Sequence, residues 1–419
     1  MGEFWAPDFE VFYAAGKQIL KNPAELYYVP RFLYLPSFAI FFAFTFSLLP
    51  FHTSFYLFYI VNYIAGILAI LEFNRILILM GLKKKAHRFL FLIIISNGYL
   101  LWIIFFFNHF KFIMFLILLF IIRREIKYRK EEKEKNIQYY ILNYGLFVFL
   151  LGMAPYFIFL LFIYLFQQIK LKNIFKKESF KMFFILLFWF TVQNITFIFY
   201  PSQIFEFLKG FRRPVEETRG AYPLYMKDFI DISSSRMEDI SYIFLGILII
   251  ITVILILNKN EYIEIKFGLF LLAYLFFGVF SHPPLISYIC CSFVLFLFVP
   301  FIKQDLKGYE FIKKNSLILI GLISIMGISL FTNNFFYWVF FPDLNEQDFG
   351  IFDTYRLLGL HIIMLISILT IYVIKYKEII IGKEELNKNT SKEKKEIKEN
   401  QLYFRNIKYS LNKKRRLKD

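Results

Sequence analysis

Histidine, cysteine and alternating polarity are what this chain lacks, and each absence closes a class of function. The five histidines are scattered, with no pair at ligand spacing, and no Asp-x-Asp follows a Rossmann-like strand–helix unit. That pattern argues against a metal-dependent enzyme using nucleotide-activated substrates, and no metal site or cofactor is expected. The two cysteines, Cys290 and Cys291, are adjacent, so a bond between them would be strained. They read as packing residues and leave the redox compartment open. Period-two alternation is missing from the apolar runs, which excludes a barrel.

Acidic residues are also in deficit. Lys and Arg outnumber Asp and Glu, 49 to 32, for a net charge of +17. The excess does not form a nucleic-acid-binding face. It sits in short clusters between apolar runs, at Lys83–Arg88, Arg123–Lys135, Lys170–Lys181 and Lys303–Lys314, and in the tail beyond Ile374. This is the positive-inside pattern that orients membrane helices, and it argues against nucleic acid as a partner.

What remains is apolar. Hydrophobic residues make up 58% of the chain and charged ones 19%, with a mean hydropathy of +0.55. Long apolar runs recur, among them Met182–Phe199, Ile240–Leu257, Leu285–Ile302, Leu317–Phe331 and Leu357–Ile374. A membrane helix needs about 20 such residues. The sequence therefore predicts an all-α, polytopic transmembrane bundle of about 10–12 membrane helices plus short juxtamembrane helices. Residues 1–375 form that domain, and 376–419 form a basic, cytoplasmic, disordered tail. The outer connections are expected at 1–31, 200–239, 281–284 and 332–353. The run 32–49, bracketed by Pro36 and Pro50, is read as re-entrant or interfacial, with one crossing after Pro50. Helices are further expected at about 89–107, 110–122, 139–152, 156–167 and 181–199, with a break at Gly152 and Pro155.

The opening segment, "PDFEVFYAAGKQILKNPAELYYVPRFLYLPSFA", suits a short amphipathic helix on the membrane surface that ends at Asn22-Pro23. Asp8 can be read as a simple helix cap. Its neighbourhood also resembles something more specific. Asp8-Phe9, Tyr13, Ala14-Ala15, Leu26-Tyr27, Phe32-x-Tyr34-x-Pro36-x-Phe38-Ala39 and Pro50 resemble, in order and spacing, the first extracytoplasmic loop of the family-87 glycosyltransferases. These belong to the GT-C superfamily, which includes polyprenyl-phosphate-mannose-dependent α-mannosyltransferases. The resemblance continues more weakly through Asn108-His109-Phe110-Lys111, Arg123-Arg124, Gly152 and Pro155, and Ser281-His282-Pro283-Pro284. Met153 lies where relatives carry a lysine nearby, and the glutamine of their helix-preceding turn is absent. Relatives also carry a membrane helix before the Asp-Phe loop, so the coding start is expected to lie upstream.

The resemblance implies a hexosyltransferase with a GT-C fold, moving mannose or another hexose from a polyprenyl-phosphate sugar to a lipid or glycan hydroxyl outside the cytoplasm. Asp8 would be the general base of a single inverting displacement. Arg212, Arg213 and Arg219 are the arginine-rich group on the outer face and the candidates for the phosphate. Arg31 and His282 are further outward-facing candidates, and Tyr13 and Tyr34 are candidate substrate contacts. The competing readings are a transporter or flippase of lipid-linked sugars, and a non-catalytic relative. The sequon Asn194-Ile195-Thr196 sits at the edge of an apolar run, where glycosylation is not expected.

Overall fold

The computed structural model describes residues 7–96, 110–169, 175–210, 234–258, 261–277 and 283–302, with short pieces at 318, 320–323, 362–363, 365–370 and 373. The chain divides into two units, Met1–Leu365 and Ile366–Asp419. In the second, 366–370 and 373 are helical. The rest of the tail lies outside the described residues. Among the described residues every regular element is a helix, in keeping with the all-α expectation.

Helix α1 (Pro7–Lys21) starts on a proline and has Asp8 and Glu10 in its first turn and Lys21 in its last, which suits the helix dipole. Phe9, Phe12, Ala15 and Ile19 form its buried stripe. Asn22 ends it and caps the 3-10 turn Pro23–Tyr28 by accepting from Ala24 N–H. Helix α2 (Pro36–Thr45) has 10 residues, about 15 Å, half of what a membrane crossing requires. The pair pack closely: a Cβ on Gly16 would come within 2.9 Å of the Ala43 backbone nitrogen. Tyr13 donates to the Leu49 carbonyl (2.8 Å), and Ser47 donates to the Tyr13 carbonyl (3.0 Å).

Helix α3 (Phe51–Leu79) has 29 residues, about 43 Å, and is the one described helix long and apolar enough to cross a membrane. It stops at Gly81, whose φ of 92° closes a C-terminal turn in which Leu82 N–H bonds to Leu77 O. Helix α4 (Lys85–Ile95) follows. Helix α5 (Lys111–Lys130) lies along α3 and runs the same way. Phe112 packs on Gly66 near the middle of α3, and Arg123 reaches Glu72 (2.7 Å) towards its end. At its start, α3 packs Phe51, Phe55 and Phe58 around Phe9 of α1. The α1 end and the arginine-rich end of the α3–α5 pair are therefore opposite.

Helix α6 (Ile137–Met153) is capped by Asn136 and gives way at Pro155, through the turn Pro155–Phe157, to α7 (Ile158–Gln168). The expected run 181–199 is not one helix. Helix α8 (Lys177–Gln193) breaks at Asn194, and Thr196–Phe199 forms a separate turn, α9. The physical reason is Asn194, whose side chain turns inward to cap α2 instead of continuing the apolar face. The expected loop 200–239 is helical at both margins: α10 (Ser202–Gly210) and the start of α11 (Ser234–Leu257). Helices α12 (Ile263–Phe277) and α13 (Pro283–Ile302) complete the described bundle and pack so closely that a Cβ on Gly268 would lie 2.9 Å from the Phe293 carbonyl.

Candidate functional site

Asp8 is positioned by the aromatic residues around it. Phe9, next in sequence, is fully buried, and Phe12, one turn on, packs against Tyr34, Phe38 and Phe110 at centroid distances of 5.0–5.4 Å. These contacts hold the first turn of α1 against the start of α5. Asp8 lies within that turn, not ahead of it, so it is not a cap in the strict sense. Its carboxyl is half-buried, and burial pushes its pKa up to about 6, against the pull of Lys111 and then Arg31. A helix N-terminus and two cations would ordinarily hold a carboxylate low, so desolvation is the larger effect here.

Lys111 is the first residue of α5 and is buried, 5% exposed. Its ammonium donates to the Tyr156 hydroxyl (3.1 Å) and lies 5.4 Å from the Phe110 ring centroid and 5.7 Å from that of Tyr156. Tyr156 in turn stacks on Tyr274 at 5.0 Å. No salt bridge joins Lys111 to Asp8, although each charge acts on the other.

Of the other residues expected in the site, Tyr34 is half-buried between Phe12, Phe38 and Phe110. Burial, and then the Asp8 charge, push its hydroxyl pKa up. Tyr13 is turned to the α2–α3 junction, where its hydroxyl binds the Leu49 carbonyl. Arg31 is exposed and has a left-handed backbone, φ 63°. The structure thus brings Asp8, Tyr34 and the charge of Arg31 together, and gives Tyr13 a main-chain clamp. Arg212, Arg213, Arg219 and His282 lie outside the described residues. Glu206 pairs with Lys209 (2.6 Å).

Sequence reasoning named Lys111 only within the motif Asn108-His109-Phe110-Lys111 and gave it no role in the site. The signal was present: a single lysine heads an apolar run, "KFIMFLILLF", on the side opposite the Arg123–Lys135 cluster.

The opposite end of α5 carries a second polar cluster, 14 residues or about 21 Å along the helix from Lys111. Glu125 is buried and accepts from Tyr139 and Tyr164 hydroxyls, Gln168 (2.9 Å) and Lys135 (2.6 Å). Beside it Arg129 makes two hydrogen bonds to Glu264 and lies 3.8 Å from the Tyr262 ring centroid. A cavity of about 420 Å³ opens there, its charged lining balanced between Arg129, Lys133 and Lys135 and Glu125, Glu132 and Glu261.

No protein-family model, curated protein or solved structure matches the chain. The family-87 resemblance therefore rests on the residues that carry it.

Proposed function

We propose that this chain is a multi-pass membrane glycosyltransferase of the GT-C type. In this reading it moves a hexose, mannose by the resemblance, from a polyprenyl-phosphate sugar to a lipid or glycan hydroxyl outside the cytoplasm. The observation that carries the reading is Asp8: a half-buried carboxyl whose pKa is pushed by burial up to about 6, against the pull of the Lys111 and Arg31 charges. A general base works best when its pKa lies near the operating pH. An ordinary surface carboxylate does not have that property.

The chemistry requires little else. The acceptor hydroxyl attacks the anomeric carbon and forms the new C–O bond. The bond from that carbon to the phosphate oxygen breaks, and its electron pair leaves with the phosphate. Asp8 takes the hydroxyl proton and later yields it to water. One displacement inverts the anomeric centre, and no covalent enzyme intermediate is needed.

The helix surfaces support a lipid setting. Ile60, Ile64, Ile67 and Leu71 expose a continuous apolar stripe on α3, as do Phe184 and Phe188 on α8 and Ile250 and Ile254 on α11. In water such stripes invite association; in lipid they face their solvent. The direction of α3 and α5 supports the sidedness. Both run from the Asp8 end to the end bearing Arg123, Arg124, Lys127, Arg129 and Lys130. The positive-inside rule assigns the basic end to the cytoplasm and Asp8 to the far side, one crossing away along α3.

The test is transfer by the purified chain from labelled polyprenyl-phosphate mannose to a membrane lipid acceptor, with Asp8→Asn alongside. Transfer that disappears in the variant supports the reading. Transfer that persists removes Asp8 from the mechanism. Absence of transfer from every lipid-phosphate sugar overturns the enzyme and leaves a carrier of lipid-linked sugars or a non-catalytic relative.

A further inference from the structure

We infer that Lys111 and Tyr156 together form the receptor for a phosphate monoester in the Asp8 site. This deepens the transferase reading and rests on it for the ligand's source, but the receptor has its own observations.

A buried ammonium is costly unless its protons are taken up. Lys111 has three donors, and among the described residues its one hydrogen bond goes to a neutral hydroxyl, Tyr156. That hydroxyl is buried as well, 7% exposed, and while it accepts from Lys111 its own proton meets no acceptor among the described residues. Among the described residues, two adjacent buried groups thus offer donors that meet no acceptor. Elsewhere on α5 Arg123 holds Glu72 and Arg129 holds Glu264, and in the loop that follows Lys135 holds Glu125, although all three cations are more exposed than Lys111. The rings of Phe110 and Tyr156 compensate the charge in part. What fits the remaining donors is an anion with several acceptor oxygens, and a compact ammonium receives phosphate well as a point charge.

Lys111 and Asp8 act on each other's charge without forming an ion pair, which suits this role. The base stands about 3 Å from the attacking oxygen, which stands about 3 Å from the anomeric carbon, with the phosphate beyond. A base and a phosphate receptor in direct contact could not bracket that array. Lys111 and Asp8 sit on the facing starts of α5 and α1, joined through Phe110 and Phe12 (5.1 Å) and without a salt bridge. The acceptor and anomeric centre would occupy the interval.

The experiment measures binding of decaprenyl monophosphate to the full chain in phosphatidylcholine nanodiscs, with decaprenol and inorganic phosphate as comparison probes. The expected result is Lys111-dependent binding of the phosphate lipid, with decaprenol weaker by roughly tenfold or more, the scale of a charge-assisted hydrogen bond. Lys111→Gln weakens the phosphate lipid by a similar factor, Tyr156→Phe by severalfold, and Lys111→Arg restores binding to within a few-fold. Inorganic phosphate that competes at the same concentration supports the receptor and makes the free ion its ligand. Equal affinity in wild type and Lys111→Gln, or a loss in Lys111→Arg as large as in Lys111→Gln, overturns the proposal. Should Lys111→Gln not fold, Tyr156→Phe and Lys111→Arg decide it. The two readings fail separately. Sugar transfer with an unaltered donor KM in Lys111→Gln and Tyr156→Phe sinks the receptor alone, whereas Lys111-dependent phosphate binding without transfer from any donor sinks the transferase alone.

Discussion

The backbone N–H of Ser37 donates to the side-chain carbonyl of Asn194 at 3.2 Å, across 157 residues of chain. Asn194 also donates to the Phe190 carbonyl (3.0 Å), so one amide closes the end of α8 and caps the start of α2. The segment that carries Asp8 is thereby fastened to a distant helix. Asn194→Ala leaves the buried Ser37 N–H without an acceptor, a loss of about 1–3 kcal/mol. Thermal unfolding in detergent should show it as a lowered midpoint. The same geometry settles the sequon's fate: with Asn194 buried and its amide engaged, expression in a glycosylating host should add no glycan mass there.

Asp8 predicts opposite pH effects on rate and stability. A base must be ionised, so transfer should fall about tenfold per unit as pH drops below about 6, by the proton-binding equilibrium of one group. Stability runs the other way. The folded pKa, about 6, lies above the ordinary carboxyl value of 3.8, so the native state binds the proton more tightly. This contribution is fully present below about 3.8 and is lost as pH rises through about 6. Asp8→Asn removes the burial of a charge. It should raise the unfolding midpoint at pH 7.5 while abolishing transfer, and a lowered midpoint would mean that Asp8 holds the fold together.

Arg31 sits in the left-handed region at φ 63°, where a non-glycine residue is strained by about 1–3 kcal/mol. Its charge also draws the Asp8 pKa down. Arg31→Gly should therefore stabilise the protein by about 1 kcal/mol and at the same time move the acid limb of the rate profile to higher pH. Arg31→Lys keeps both charge and strain and should change neither. A shift of the acid limb in Arg31→Lys as large as in Arg31→Gly would show that the effect is not the charge.

The course of the chain up to α3 could be read from sequence because prolines mark it. Asn22-Pro23, Pro36 and Pro50 stand at its breaks, and Asp8, Phe12, Ala15 and Ile19 recur at helix-like spacing, although the structure puts Phe9 and not Asp8 on the buried stripe. The break at Asn194 was hidden because the apolar run continues through it, and only the partner 157 residues away gives that asparagine a reason to turn inward. Lys111 was hidden in a different way. A lysine at the head of an apolar helix looks like an ordinary interfacial anchor until Tyr156 and the Phe12–Phe110 contact enclose it. The Glu125 cluster was masked by its surroundings. Its basic neighbours were read as topological signal, and the residues that satisfy the carboxylate are spread from Lys135 to Gln168.

Glu125 supplies the control for every functional prediction. It is buried at the far end of α5 from Lys111 and collects four donors from α6, α7 and the loop between α5 and α6. Glu125→Ala removes the acceptor from all four at once and leaves Lys135, 23% exposed, without its counter-ion. Breaking a buried pair on one side costs about 3 kcal/mol. Glu125→Gln preserves shape and one carbonyl oxygen, and should lose less. Because the cluster stands about 21 Å along α5 from Lys111, neither variant should alter phosphate-lipid affinity or the acid limb of transfer at a temperature where the chain stays folded. Unfolding midpoints measured beside donor affinity would check this. A change in affinity with Glu125→Gln would show that the two ends of α5 are coupled, and would mean that binding losses in the Lys111 variants cannot be credited to local contact alone.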